Sequence, residues 1–232
     1  MPQNLQNAAA ASDAPLNSAS LKKGKKQKVD YTPVVPKEQL GFIHNNMDCI
    51  GCRACEIACK DKNGLAPGPR FRRVQYIEGG TYPNVFAYKV NMSCNHCAEP
   101  ACLPTCPTGA IWKRDKDGIV DIDSSLCIGC RRCEAACPFG APQFDVAEGV
   151  IKKCNMCVDE IEAGRKPYCV AACMMRVLDV GPIDLLREGH YDTKAMGPND
   201  TPVRQVQGMA DPELTNPSIV FVAHPRGKVD NE

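Results

Sequence analysis

The sequence has no run of eighteen apolar residues, so the chain is not expected to cross a membrane by itself. Its most apolar stretch, IVFVA at Ile219 to Ala223, suits a short strand. Neither sign of charge dominates: 28 Lys and Arg face 27 Asp and Glu, for a net charge of +1. A nucleic-acid partner is therefore not expected. A secretory signal is missing, because the N-terminal run has no apolar h-region and its lysines follow the small residues. No twin-arginine pair lies near the start; Arg72-Arg73 and Arg131-Arg132 are internal. No nucleophile with a paired base, no phosphate-cradling glycine loop and no dinucleotide fingerprint appears, so the chain is not expected to perform substrate chemistry.

What the chain has in excess is cysteine, 16 in 232 residues. They fall into four groups of four with none left over. Group one is Cys49, Cys52, Cys55 and Cys59, and group two is Cys94, Cys97, Cys102 and Cys106. Group three is Cys127, Cys130, Cys133 and Cys137, and group four is Cys154, Cys157, Cys169 and Cys173. Four sets that consume every cysteine point to one chemistry repeated four times. Disulfides fit poorly, since cysteines this close in sequence seldom pair fully and no secretory signal is present.

Groups one and three share intervals of three, three and four. A structural zinc site is usually built from paired C-x₂-C knuckles, which this pattern does not match. Three thiolates at that spacing wrap three corners of an iron–sulfide cube, and the fourth, followed by proline in group three, ligates the other cluster of a pair. Cys127, Cys130 and Cys133 would then hold one [4Fe–4S] cluster and Cys137 its neighbour. Pro138 and Pro107 mark the turns out of two of the loops. Groups two and four are looser, but share the C-x₂-C start and the C-x₃-C end. Spacing leaves the pairing open: group two with three and one with four, or one with two and three with four.

Around the groups, Val85–Ser93 reads as a strand, and Gly109–Asp123 reads as a hairpin turning before Gly118. The ends of groups one and four, CEIACK and CVAACMMRVL, read as short helices starting near their last cysteines. Residues 1–38, with a lysine cluster at 22–28, are too polar to offset the entropy of ordering and read as a disordered tail. Residues 189–232, rich in Pro, Gly, Asn and Asp, read as an irregular extension. Arg53, Lys60, Arg131, Arg132, Lys152 and Lys153 lie close to candidate ligands, where they either raise cluster potential or are solvated surface charge. His96 lies between two ligands, but no cysteine is missing for it to replace. His44, His190 and His224 lack ligand spacing. Trp112 reads as core packing.

The motifs CIGCRACEIACKD, FRRVQYIEGG, SCNHCAEPACLPTCPTGAI, CIGCRRCEAACPFGAPQFD, CVAACMMRVLDVGPIDLLRE and TNPSIVF carry a resemblance over about residues 40–225. They resemble the four-cluster iron–sulfur subunits of molybdopterin oxidoreductases, above all the anaerobic dimethyl sulfoxide reductase type. The chain departs from that pattern in its longer N-terminal tail and in Met174, where the family often has proline. The resemblance implies an α+β fold of two bacterial-ferredoxin-like 2×[4Fe–4S] modules nested in sequence, with long irregular loops and tails. The outer module would be 39–93 plus 150–188, and the inner one 94–149. It implies four [4Fe–4S] clusters with these ligand sets: Cys49, Cys52, Cys55 and Cys173; Cys94, Cys97, Cys102 and Cys137; Cys106, Cys127, Cys130 and Cys133; Cys59, Cys154, Cys157 and Cys169.

The implied partners are a quinol-oxidising membrane anchor subunit and a molybdopterin catalytic subunit that reduces sulfoxides or N-oxides in anaerobic respiration. The chain itself would be a non-catalytic electron-transfer subunit. Tetrathionate, polysulfide, thiosulfate or arsenate reductase partners are the alternatives within this wiring, and a free polyferredoxin shuttle is the alternative outside it. A formate dehydrogenase or hydrogenase subunit would often add a C-terminal membrane helix, which this sequence lacks. The implied location is membrane-associated through partners, on the periplasmic side after folded export with a twin-arginine partner; the cytoplasmic face is the other option.

Overall fold

The computed structural model describes residues 36–229. The first elements are β1 (Leu40–Asn45), α1 (Ala54–Lys62), β2 (Arg73–Gly79) and β3 (Phe86–Met92). Next come β4 (Ile111–Lys113), β5 (Val120–Ile122), α2 (Arg132–Ala136), β6 (Gln143–Asp145) and β7 (Val150–Lys152). The rest are α3 (Val158–Glu162), α4 (Tyr168–Ala171), β8 (Leu178–Pro182), α5 (Ile183–Glu188), β9 (Pro202–Val203) and β10 (Ile219–Val222). The architecture is mixed α and β, as the expected fold class requires.

One sheet, ordered β8-β1-β10-β9, joins distant parts of the chain. β1 pairs parallel with β10 and antiparallel with β8. Both central strands are buried on both faces, which explains the unbroken apolar run of β10. Successive side chains point to opposite faces of a strand. Accordingly Phe42, Ile219 and Phe221 pack with Tyr88, Cys55, Cys169 and Cys173 on one face. Ile43, Val220 and Val222 pack with Ile183 and Leu186 of α5 on the other. The sheet thus backs one body of thiols and screens it from α5.

The remaining strands form three antiparallel hairpins: β2-β3, β4-β5 and β6-β7. The strand expected at Val85–Ser93 is β3, and the hairpin expected within Gly109–Asp123 is β4-β5. A second apolar cluster packs Ile111, Val120 and Ile151 of these hairpins against Cys102, Cys106 and Cys133. A third packs Leu65, Phe71 and Ala141 with Cys59, Cys94 and Cys154.

Two expectations need correction. Neither helix starts near the last cysteine of its group: α1 begins at Ala54, ahead of Cys55 and Cys59, and α4 at Tyr168, ahead of Cys173. α4 ends at Ala171, the chain turns through Met174 and Met175, and Leu178 opens β8. The apolar residues after Cys173 belong to a sheet whose other strands lie far away in sequence, so local periodicity misread them. Trp112 is 46% exposed, not core, because it alternates outward between buried Ile111 and Lys113. The tail reading for 1–38 falls outside the described residues up to 35. Its last residues bond to the β4-β5 turn, Lys37 N–H donating to the Asp115 carbonyl at 2.8 Å. Within 189–232, loops carry β9 and the fully buried β10.

If β10 holds the sheet together, Phe221→Ala should cost about 3–5 kcal/mol. The exposed Val146→Ala should change stability by less than about 0.5 kcal/mol. Anaerobic denaturant unfolding of the loaded chain checks this, and equal effects from the two variants would count against a central β10.

Candidate metal centre

Each cysteine group begins with the same backbone device. The residue before the second cysteine is left-handed in all four: Gly51 (φ 72°), His96 (φ 43°), Gly129 (φ 65°) and Met156 (φ 60°). In groups one and three a second left-handed residue, Arg53 or Arg131, follows the second cysteine and leads into α1 or α2. Such turns fold the chain into a concave loop. Glycine suits these φ values, and two of the loops use it. At Gly129 there is no room for anything larger, because a Cβ would overlap the Gly149 carbonyl oxygen. In groups two and four His96 and Met156 adopt the conformation without that freedom, and both are fully buried. The G-C pairs of groups one and three are visible in sequence; nothing local announces His96 and Met156.

The loops are held from outside. Tyr76 of β2 donates from its hydroxyl to the Gly51 carbonyl at 2.7 Å, with the Arg53 guanidinium over its ring at 5.5 Å. The Val74 N–H donates to Glu56 of α1, tying that helix to β2. Several donors reach sulfur directly. Asn91 Nδ2 donates to Cys55 Sγ at 3.2 Å, and Met156 N–H to Cys154 Sγ at 3.3 Å. Ile151 N–H donates to Cys127 Sγ at 3.4 Å.

All sixteen thiols are unbridged. Four of them, Cys94, Cys97, Cys102 and Cys137, line one hollow. Cys49, Cys52, Cys55 and Cys173 line another. The Cys133 thiol has Cys106, Cys127 and Cys130 as electrostatic neighbours, and Cys59 has Cys154, Cys169 and Cys157. Between these sets, Cys55 neighbours Cys169, and Cys94 neighbours Cys154. Among the described residues no three His, Cys, Asp or Glu side chains stand close enough to hold a single metal ion. Four-thiol hollows in which sulfur already accepts hydrogen bonds fit a cluster held by thiolates.

Burial is the main influence on the thiols. It pushes Cys97 up to about 12, and Cys133 and Cys154 up to about 11, with neighbouring thiols adding to the rise at Cys97 and Cys133. At Cys154 the nearby Arg72 opposes it. Burial pushes Cys106 the same way, but the Thr108 hydroxyl and the backbone N–H groups of Ile111, Thr108 and Ala110 outweigh it. Empty, most of these sites would hold neutral thiols; a bound metal requires the thiolates and releases their protons.

Of the six basic residues singled out beside the cysteines, five are surface charge or partly exposed. Arg131 pairs with Glu134 at 2.7 Å and Lys152 with Asp145 at 3.0 Å, while Lys60 bonds to the Ala66 carbonyl at 2.6 Å. Arg53 and Arg132 are exposed. Lys153 is buried, bonding to the carbonyls of Val120 and Cys154 beside Cys102. Two further buried cations escaped the sequence reading. Lys113 donates to the carbonyls of Cys97 and Ala98, at 3.3 and 2.9 Å. Arg72 is buried among thiols of groups one and four. The buried His96 accepts the Val120 N–H at Nδ1, at 3.1 Å. Burial, with Lys153, Arg72 and Lys113 nearby, keeps it neutral. His44, also buried, is held down to about 3 and bonds to Asn46.

A family model described as a 4Fe-4S dicluster domain matches residues 85–183. The chain is 47% identical over 168 residues to the B subunit of anaerobic dimethyl sulfoxide reductase from Escherichia coli (strain K12), covering 69% of this chain and 82% of the relative. It is 41% identical over 192 residues to the protein of the same description in Haemophilus influenzae, covering 79% and 88%. It is 40% identical over 149 residues to the thiosulfate reductase electron transfer subunit of Salmonella typhi, covering 63% and 77%.

The glycine requirement is testable. Gly129→Ala should lose iron and acid-labile sulfide per chain. Gly149→Ala, equally left-handed (φ 69°) but with open space around it, should keep both, at roughly 1–2 kcal/mol of stability. Full metal content in Gly129→Ala would show that the loop can relax.

Proposed function

The chain belongs to the family of iron–sulfur electron-transfer subunits that includes the B subunit of anaerobic dimethyl sulfoxide reductase, and on that premise we propose its specific wiring. It is a non-catalytic subunit of an oxidoreductase complex and carries [4Fe–4S] clusters. We propose four of them. Cys49, Cys52, Cys55 and Cys173 hold the first, and Cys94, Cys97, Cys102 and Cys137 the second. Cys106, Cys127, Cys130 and Cys133 hold the third, and Cys59, Cys154, Cys157 and Cys169 the fourth. The observation that carries this reading is the pair of four-thiol hollows, each combining cysteines of two different groups. The electrostatic neighbours of Cys133 and Cys59 support the other two sets. The alternative pairing, one with two and three with four, would need Cys173 away from Cys49 and Cys137 away from Cys94, against those hollows.

On this assignment the chain is two ferredoxin-like modules, 94–149 inside 39–93 plus 150–188. The clusters supply one-electron chemistry when bound. The protein spaces them, excludes water from most of their ligands and places cations beside them. The subunit passes electrons from a quinol-oxidising membrane subunit to a molybdopterin subunit that reduces dimethyl sulfoxide and related sulfoxides or N-oxides. It is held at the membrane by those partners, on the periplasmic side after folded export. No described helix is long and apolar enough to cross a membrane. A thiosulfate-type partner is the second reading, favoured by the 40% identity to a thiosulfate reductase subunit.

The native complex, purified anaerobically, should oxidise reduced viologen with dimethyl sulfoxide and trimethylamine N-oxide. Turnover only with thiosulfate, tetrathionate, polysulfide or arsenate would keep the wiring and overturn the acceptor. Within that complex Cys102→Ser should slow quinol-linked turnover much more than viologen-linked turnover. Equal loss of both would assign the cysteine to assembly and not conduction.

A further inference from the structure

Arg72 is 1% exposed, the bulkiest of the fully buried side chains. No carboxylate lies within ion-pair distance of it among the described residues. Its Nη1 donates to Asn91 Oδ1 at 3.1 Å, and Asn91 Nδ2 in turn donates to Cys55 Sγ at 3.2 Å. The guanidinium lies over the Phe42 ring of the central sheet at 4.4 Å. Its Nε and Nη2 are buried and have no partner in the protein. Its charge is felt by Cys55 of the first proposed set and by Cys59, Cys154 and Cys169 of the fourth. An arginine buried with two idle donor nitrogens and no counter-ion is costly unless anionic acceptors complete its shell. The side chain stands where two clusters would supply them.

We infer that Arg72 is a shared electrostatic clamp of the two outer clusters, its guanidinium lying between them and donating hydrogen bonds to their sulfur atoms. The inference rests on the ligand sets proposed above. A fixed positive charge favours the reduced, more negative state of each cluster, so Arg72 raises the potential of both. The inner pair has Lys113 and Lys153 beside it and feels Arg72 more weakly, at His96 between Cys94 and Cys97, so it should respond less.

The test is a redox titration with EPR detection on the anaerobically purified complex, comparing wild type, Arg72→Lys and Arg72→Gln. In Arg72→Gln the two outer clusters should become harder to reduce by at least tenfold in their equilibrium, about 59 mV for one electron. Arg72→Lys should restore most of that shift, and the inner pair should shift by less than the outer pair. Unchanged outer potentials with full iron content, or an equal shift of all four clusters, would overturn the inference. Wild-type complex with guanidinium-¹⁵N-labelled arginine provides a second measurement should Arg72→Gln fail to load. Pulsed EPR should detect nitrogen coupling to a reduced outer cluster, lost in Arg72→Lys, and no coupling in the wild type would refute the clamp. Iron short of four clusters in the wild type would overturn the ligand sets and the clamp together, whereas four clusters with insensitive potentials would remove the clamp alone.

Discussion

Everything in this fold depends on taking sixteen thiols largely out of water without pairing any of them. Three of the four apolar clusters contain cysteine sulfur among their buried members: Cys55, Cys169 and Cys173; Cys102, Cys106 and Cys133; Cys59, Cys94 and Cys154. The aromatic share of the chain is only 6%, so little bulk is available to replace them. Burial pushes most of these thiols toward the neutral form, yet a metal ligand must be a thiolate. Cluster binding resolves that conflict, and folding and loading become one coupled equilibrium.

The second constraint is the shape of the loops. Every group needs one left-handed residue before its second cysteine, and the chain meets that need in two ways. Gly51 and Gly129 adopt the conformation freely, and their neighbours close in to the point of excluding a Cβ. His96 and Met156 carry an intrinsic penalty of roughly 1–2 kcal/mol each. Complete burial offsets it: Met156 joins the cluster on the sheet, and His96 ties its Nδ1 to β5 and its carbonyl to Ser218. Tertiary contacts thus impose in two loops what local freedom provides in the other two.

Much of this was legible in the sequence because ligand spacing is a local property. Cys49 to Cys59 and Cys127 to Cys137 declare their chemistry within eleven residues each. Hairpin β4-β5 was readable for the same reason, since its strands are separated only by a charged turn. The parallel pairing of β1 with β10 was not, because its partners stand at opposite ends of the described chain and no local pattern encodes it. The helix expected over CVAACMMRVL stops at Ala171 because Val177 and Leu178 answer to that sheet. Arg72 was missed for a related reason. Nothing in FRRVQY marks it as inward-facing, and only the packing of Phe42 and Asn91 turns it inward.

The charges inside the molecule divide in an uneven way that follows from the thiols. The buried carboxylates Asp117, Asp145, Glu160 and Asp179 each have a cationic partner: Arg114, Lys152, Arg165 and Lys166. The buried cations Arg72, Lys113 and Lys153 are bonded only to neutral oxygens among the described residues. Each stands beside cysteine: Arg72 by Cys55, Cys59, Cys154 and Cys169, Lys113 by Cys97 with Glu99 also near, Lys153 by Cys102. An uncompensated buried charge destabilises a fold by several kcal/mol. In the empty protein Arg72 and Lys153 face neutral thiols and work against compaction; in the loaded one they face thiolate and sulfide. Their placement therefore favours the native state when clusters are bound and penalises it when they are not. The two buried histidines fit the same logic. Both are kept neutral within reach of Arg72, so the positive charge around the sites is fixed by arginine and lysine and does not vary with pH near neutrality.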